Sequence, residues 1–181
     1  MKTVIGLVGR MGAGKSVVSK YICERYGANE YRFSQILVDI LDRLYLPHRR
    51  EYLQELGACL RKIREDCIVR ALKKDLERDE SNLIVIDGIR YFNEVELLRS
   101  FDRSYLICIK ALPELRFERI KDRKEKEEPL TFEEFLKKEE AETEKKIDEI
   151  CKEAEFVVEN NSTLEDLYAK IDKIMNRILY R

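Results

Sequence analysis

Gly9, Gly14, Lys15 and Ser16, within the run GRMGAGKS, satisfy the spacing G-x-x-x-x-G-K-[ST]. Glycines at those places let the backbone turn tightly and aim consecutive N–H groups at phosphate oxygens, at the positive end of the helix that follows. The lysine of such a loop reaches the β- and γ-phosphates of a nucleotide, and the adjacent hydroxyl ligates Mg²⁺. The spacing therefore predicts that Gly9, Met11, Gly12, Ala13, Gly14, Lys15, Ser16 and Val17 surround the phosphates of a nucleotide. Lys15 would act on the transferring group and Ser16 on the metal. Asp87 ends the apolar run LIVID, which places it at the carboxyl end of a buried strand, where open α/β sheets bind ligands. It reads as a catalytic carboxylate and the second Mg²⁺ partner, acting through water. The alternative is an aspartate that caps the next helix.

These residues need a frame. Short apolar runs at 3–8 (TVIGLV), 83–87 (LIVID), 104–109 (SYLICI) and 155–159 (EFVVE) are strand candidates, and EYRFS at 30–34 is a weaker one. The first three runs alternate with helical patterns, which is the signature of crossover units and a parallel sheet. A helix is expected over Lys15–Tyr26, directly after the loop. Ile36, Leu37, Ile40, Leu41 and Leu44 mark an amphipathic helix, and Leu53, Leu56, Leu60, Ile63, Cys67, Ala71 and Leu72 mark one longer helix. Leu164, Leu167, Ile171, Ile174 and Ile178 give the last helix its stripe, with Ser162 or Thr163 as its N-cap.

The totals bound the rest. The chain has 181 residues, enough for one domain that folds alone, with at most a small insert. Its 35 Lys and Arg against 36 Asp and Glu leave a net charge of −1, so no general basic field exists to hold nucleic acid or an anionic membrane. The apolar runs are too short to cross a bilayer, and the first leads straight into the glycine-rich loop without a cleavage pattern. Cys23, Cys59, Cys67, Cys108 and Cys151 are odd in number and contain no C-x-x-C pair, and they read as reduced side chains. A cytoplasmic protein, monomeric or homodimeric, is expected.

One segment stands apart. Of the fifteen residues from Glu114 to Glu128 all but three are charged, and Pro129 precedes a second charged helix beginning near Thr131. It reads either as a solvated helical hairpin laced with ion pairs or as a lid over a ligand, spanning about 112–152. Arg116, Arg119 and Arg123 stand at i, i+3 and i+7, which puts three guanidinium groups on one helical face.

DGIR (87–90) resembles the stretch of nucleoside monophosphate kinases in which an aspartate ends a strand and an arginine shortly after grips the acceptor's phosphate. RFERIKDRK (116–124) resembles the lid start R-I-x-x-R of adenylate kinases. Together with AEFVVENNSTLEDL (154–167), the chain looks most like archaeal adenylate-kinase-related and dephospho-CoA-kinase-like proteins. The resemblance implies a three-layer α/β P-loop kinase fold with a parallel sheet of about five strands, helices on both faces and a small helical lid. It implies that Arg119 and Arg123 contact ATP and the transferring phosphoryl group, that Asp87 and Arg90 face the acceptor, and that Asn160 and Asn161 lie near the donor base or form a plain loop. The adenylate kinase pattern D-G-F-P-R-[ST] is reduced here, without its proline and without a glutamine to read adenine. Ser34 and Glu94 are acceptor-side candidates, although Glu94, like Glu96, could simply face water. Arg61 and Arg64 are candidates to hold the acceptor phosphate, or are surface cations.

No N-K-x-D segment is present to read guanine and no L-S-G-G-Q signature of a transport ATPase, which leaves a small kinase. The expected activity is transfer of the γ-phosphoryl of ATP, with Mg²⁺, to a small phosphorylated acceptor such as a nucleoside monophosphate. Dephospho-CoA kinase is the nearest rival, and its hydroxyl acceptor calls for a carboxylate base after the second strand, where this chain reads Ser34-Gln35-Ile36 with Asp39 beyond. A regulatory protein that holds ATP or AMP without turnover is the rival from another class.

Overall fold

A computed structural model of the chain describes residues 2–123, 131–140 and 142–180. Five parallel strands form one sheet in the order β2-β3-β1-β4-β5. They are β1 (Thr3–Val8), β2 (Asn29–Tyr31), β3 (Leu83–Ile89), β4 (Arg103–Lys110) and β5 (Phe156–Glu159). The central strand β1 is buried along its whole length, because helices cover both faces, and its side chains sort by parity. Val4 and Val8 enter one core with Ile68, Leu72, Leu76 and Leu98, whereas Ile5 and Leu7 enter the other with Val18, Ile22, Ile171 and Met175.

The second core is sealed by α1 (Lys15–Tyr26) and α9 (Leu164–Leu179). Thr163 is the α9 N-cap, its hydroxyl accepting from the Asp166 N–H at 3.3 Å. The two helices are also joined at Asp172, whose Oδ1 accepts from the hydroxyls of Tyr21 (2.9 Å) and Tyr26 (2.6 Å). On the other face lie α2 (Phe33–Arg43), α3 (Arg50–Ile63), α4 (Cys67–Arg78) and α5 (Phe92–Arg99). Between β4 and β5 come α6 (Pro113–Arg123), α7 (Phe132–Glu139) and α8 (Glu142–Lys152). Thr131 and Glu134 start α7 with reciprocal caps, the Thr131 N–H donating to Glu134 Oε2 and the Glu134 N–H to Thr131 Oγ1.

The structure corrects three expectations. The weak strand is shorter than EYRFS, since Phe33 and Ser34 already belong to α2. The single long helix is two, because Arg64 is extended (φ −157°, ψ 121°) and the chain turns at Glu65 and Asp66 before restarting. The apolar spacing runs through this break: Ile63 keeps the phase but lies exposed at the end of α3. Cys108 and Cys151 are joined by a disulfide from β4 to α8, so two of the five cysteines are not reduced thiols. The pair lies 43 residues apart in sequence, and only the packing of α8 across the sheet brings it together. Cys23, Cys59 and Cys67 are free.

Candidate active site

The loop after β1 and the end of β3 meet at the carboxyl edge of the sheet. Ser16 Oγ, in the first turn of α1, donates to Asp87 Oδ2 at 3.1 Å. Asp87 is aimed there by a bulge: Leu7 pairs with Asp87 and Val8 with Ile89, which leaves Gly88 unpaired at φ +84°. That backbone region is open to glycine at little cost, and a bulge commonly re-aims the neighbouring side chain. Gly14 stands at φ +107° where the loop enters α1, and a Cβ on it would lie 2.5 Å from Asn160 Nδ2. Asn160 is buried and fastens the loop, donating from Nδ2 to Ala13 O at 2.9 Å. Lys15 arches back over its own loop, with Nζ donating to Gly9 O (2.6 Å) and Arg10 O (3.2 Å). Val17 is half-buried and packs against the α1–α9 core.

A cavity of about 720 Å³ opens beside this edge. Lys15, Ser16 and Asp87 line one side, and Arg50, Arg61 and Arg90 line it from α3 and from the turn after β3. Ser34 and Glu94 also line it. The Arg61 guanidinium lies over the Tyr91 ring, 4.7 Å from its centroid, which holds the fork in place through a cation–π contact. Arg64 is not brought to the cavity; it projects outward and pairs with Asp66 at 2.6 Å.

Glu94 does not face water. It is 3% exposed, and its Oε2 accepts from the backbone N–H groups of Arg90 (2.7 Å) and Tyr91 (3.2 Å). Burial pushes its pKa from 4.5 up to about 7, against the lowering pull of those two N–H groups and of Arg61 and Arg90. The folded state then binds this proton more tightly than the unfolded chain does, so the stability it confers is complete below pH 4.5 and lost as pH rises to about 7. Thermal unfolding of Glu94→Gln across that range should lack the decline expected of the parent, and parallel curves for the two would refute the assignment.

The α6 arginines do not share one role. Arg116 is buried and bonded to Glu139 of α7, with Nη2 donating to Oε2 at 2.6 Å, and it sits over the Phe135 ring at 5.4 Å. Of the two readings of this segment, a solvated hairpin or a lid, Arg116 serves neither a solvated face nor a ligand: it ties α6 to α7. Arg119 turns toward the loop, donating to Gly12 O (3.3 Å) and Asn160 O (2.9 Å). Arg123 ends α6, and its side chain lies outside the described residues. Asn161 is exposed and accepts from the Leu112 N–H at 2.8 Å, bracing the segment before α6. Arg10, within the loop, pairs with Asp148 of α8 at 2.7 Å and with Glu139 at 3.1 Å. Phosphate loop and charged segment are therefore one ion-pair network.

Mg²⁺ fits the residues present. Asp87 Oδ1 is buried and finds no hydrogen-bond partner among the described residues, a costly arrangement unless something else takes it up. With the Ser16 hydroxyl beside it, the donors are hard oxygens of the kind Mg²⁺ prefers. Among the described residues no group of three or more His, Cys, Asp or Glu is placed to hold a metal, so an ion here would lean on water and phosphate oxygens as well.

Sequence reasoning missed Arg32, Arg50 and Tyr91. Arg32 follows the shortest strand, and its Nε lies 3.3 Å from Asp87 Oδ2. Only the pairing of β2 with β3 shows this, and no local spacing encodes it.

The sheet order, the loop after β1 and the carboxylate two residues before the end of β3 define a P-loop kinase fold. Residues 5–148 match the family described as "AAA domain", and the chain belongs to that family. Among its relatives, a UPF0200 protein of Staphylothermus marinus is 29% identical over 181 residues, spanning 99% of this chain and 95% of that one. A UPF0200 protein of Sulfurisphaera tokodaii is 26% identical, spanning 97% of each. The fold is similar to that of TT1252 from Thermus thermophilus (TM-score 0.65, 22% identity, 98% of each chain). It is also similar to shikimate kinase from Acinetobacter baumannii in complex with shikimate (TM-score 0.62, 22% identity, 99% of this chain and 94% of that one). No helix among the described residues is long and apolar enough to cross a membrane.

Proposed function

We propose that the protein is an ATP-dependent phosphotransferase whose acceptor is a small phosphorylated molecule, a nucleoside monophosphate in the first instance. The observation that carries this reading is that Arg50, Arg61 and Arg90 line the same cavity as Lys15, Ser16 and Asp87. Forked guanidinium groups suit a phosphate dianion. Lys15 would leave its loop carbonyls to meet the β- and γ-phosphates, while the loop's backbone N–H groups hold them at the positive end of α1. Ser16 and Asp87 would hold Mg²⁺, which would supply positive charge against the negative charge that builds during transfer. The acceptor oxygen takes the γ-phosphorus as its bond to the bridging oxygen breaks, and ADP leaves. Arg119, already seated against Gly12, stands beside the loop on the donor side.

A phosphate acceptor needs no base, and with Asp87 assigned to the metal, neither Glu94 nor Asp39 is placed to serve as one. Glu94 is committed to two backbone N–H groups. Asp39 is bonded by Gln35 at 2.8 Å and lines a separate small cavity instead, which weighs against the dephospho-CoA alternative.

The test is a coupled assay of ATP with a panel of nucleoside monophosphates. Arg61→Ala and Arg90→Ala should each raise the acceptor's KM more than tenfold, about what loss of one charge-assisted hydrogen bond costs, with ATP's KM within a few fold of the parent. Turnover near zero with every acceptor, despite tight ATP binding, would favour a regulatory module. Phosphorylation of dephospho-CoA that Asp39→Asn abolishes, with no monophosphate accepted, would favour that rival.

A further inference from the structure

Arg32 occupies an unexpected position. It is the last residue before α2, and its guanidinium is shared between two carboxylates: Nε lies 3.3 Å from Asp87 Oδ2, and Nη2 lies 3.0 Å from Glu30 Oε1. Its side chain is 42% exposed and lines the main cavity, whereas the Asp87 side chain is 6% exposed. The contact with Asp87 is a poor hydrogen bond, because Arg32 Nε is buried and among the described residues has no partner that meets hydrogen-bond geometry. It is an attraction between charges, held in place by the second contact to Glu30.

A monovalent guanidinium and a divalent ion cannot both sit on Asp87 at low cost, since two cations at such range repel strongly where water is sparse. We propose that Arg32 is an internal counter-ion that competes with Mg²⁺ for Asp87, and that on release it swings into the cavity to grip the acceptor's anionic group. The inference rests on the reading of Asp87 as the metal's carboxylate. Glu30 is the pivot of the motion, because it keeps its contact with Nη2 while Nε lets go. Metal at Asp87 frees Arg32 for the acceptor, and an acceptor that recruits Arg32 clears Asp87 for metal. Linkage requires the coupling to run equally in both directions.

The experiment is a titration of Mn²⁺, followed by electron paramagnetic resonance, into the ADP-loaded protein with and without AMP as the acceptor-side probe. In the parent, AMP should tighten Mn²⁺ binding several-fold. Arg32→Gln without AMP should bind Mn²⁺ several-fold more tightly than the parent, and adding AMP should change this little. Loss of fold would weaken metal binding, so a gain of affinity separates competition from a merely structural role. Mn²⁺ affinity within twofold of the parent, or weaker, in whichever of Arg32→Gln and Arg32→Met keeps the parent's thermal unfolding overturns the proposal. A parent indifferent to AMP whose Arg32→Gln variant still gains Mn²⁺ affinity would uphold the competition and count against the monophosphate acceptor.

Discussion

Lys15→Ala is expected to fold as the parent does and to transfer phosphate slower by on the order of 10³-fold or more. The small structural cost follows from where the ammonium now sits. It bonds two loop carbonyls, Gly9 O and Arg10 O, on a half-buried loop that water can reach, so truncation exchanges those bonds for water at about 1 kcal/mol. The kinetic cost is larger because Lys15 stands next to Ser16 at the entry of α1, whereas Arg10 is paired with α7 and α8, and a charge that grows on the transferring group would lose its direct partner. Thermal unfolding and kcat measured on the same preparation check both halves. Activity within tenfold of the parent would remove the loop as the donor site.

Asp87→Asn should be nearly as damaging. The amide keeps the shape and leaves an oxygen for Ser16 Oγ, but removes the charge that would draw a hard cation to the buried Oδ1. We expect kcat lower by on the order of 10²-fold at saturating ATP, together with a rise in the Mg²⁺ concentration needed for half-maximal rate. A Mg²⁺ titration of the rate reads both. An unchanged Mg²⁺ requirement would return Asp87 to a structural role at the end of β3.

What the sequence disclosed and what it withheld divide along physical lines. Lys15, Ser16 and the loop glycines were legible because the chemistry is contiguous: one turn of chain supplies the whole cradle. Asp87 was legible because the apolar run LIVID marked the approach to the ligand edge of the sheet, although the strand does not end there as expected but continues through the bulge at Gly88 to Ile89. Arg61 and Arg64 could not be told apart in advance, since their fates were decided by the end of α3 at Ile63, which the continuing apolar spacing concealed. Arg116, Arg119 and Arg123 share a face on paper, but periodicity says nothing about what that face meets; α7 captured Arg116 through Glu139. Arg32 and the Cys108–Cys151 bond depend on which strands and helices become neighbours across the sheet. Such information lies in the topology, and a single sequence states it only when a familiar motif carries it.

The disulfide has a mechanical meaning for the segment it encloses. Cys108 lies in β4 and Cys151 near the end of α8, so the bond turns α6, α7 and almost all of α8 into a closed ring whose two roots are pinned at one point of the sheet. Closing a ring of 43 residues removes chain entropy from the unfolded state worth about 4 kcal/mol in the loop-closure account. It also limits how the ring can move. Its ends cannot splay apart like the two arms of a hinge, so the two roots of the segment can shift only together, next to the Arg10–Asp148 pair that joins α8 to the loop after β1. A severed backbone anywhere between the two cysteines would still leave both pieces of the protein on one covalent thread.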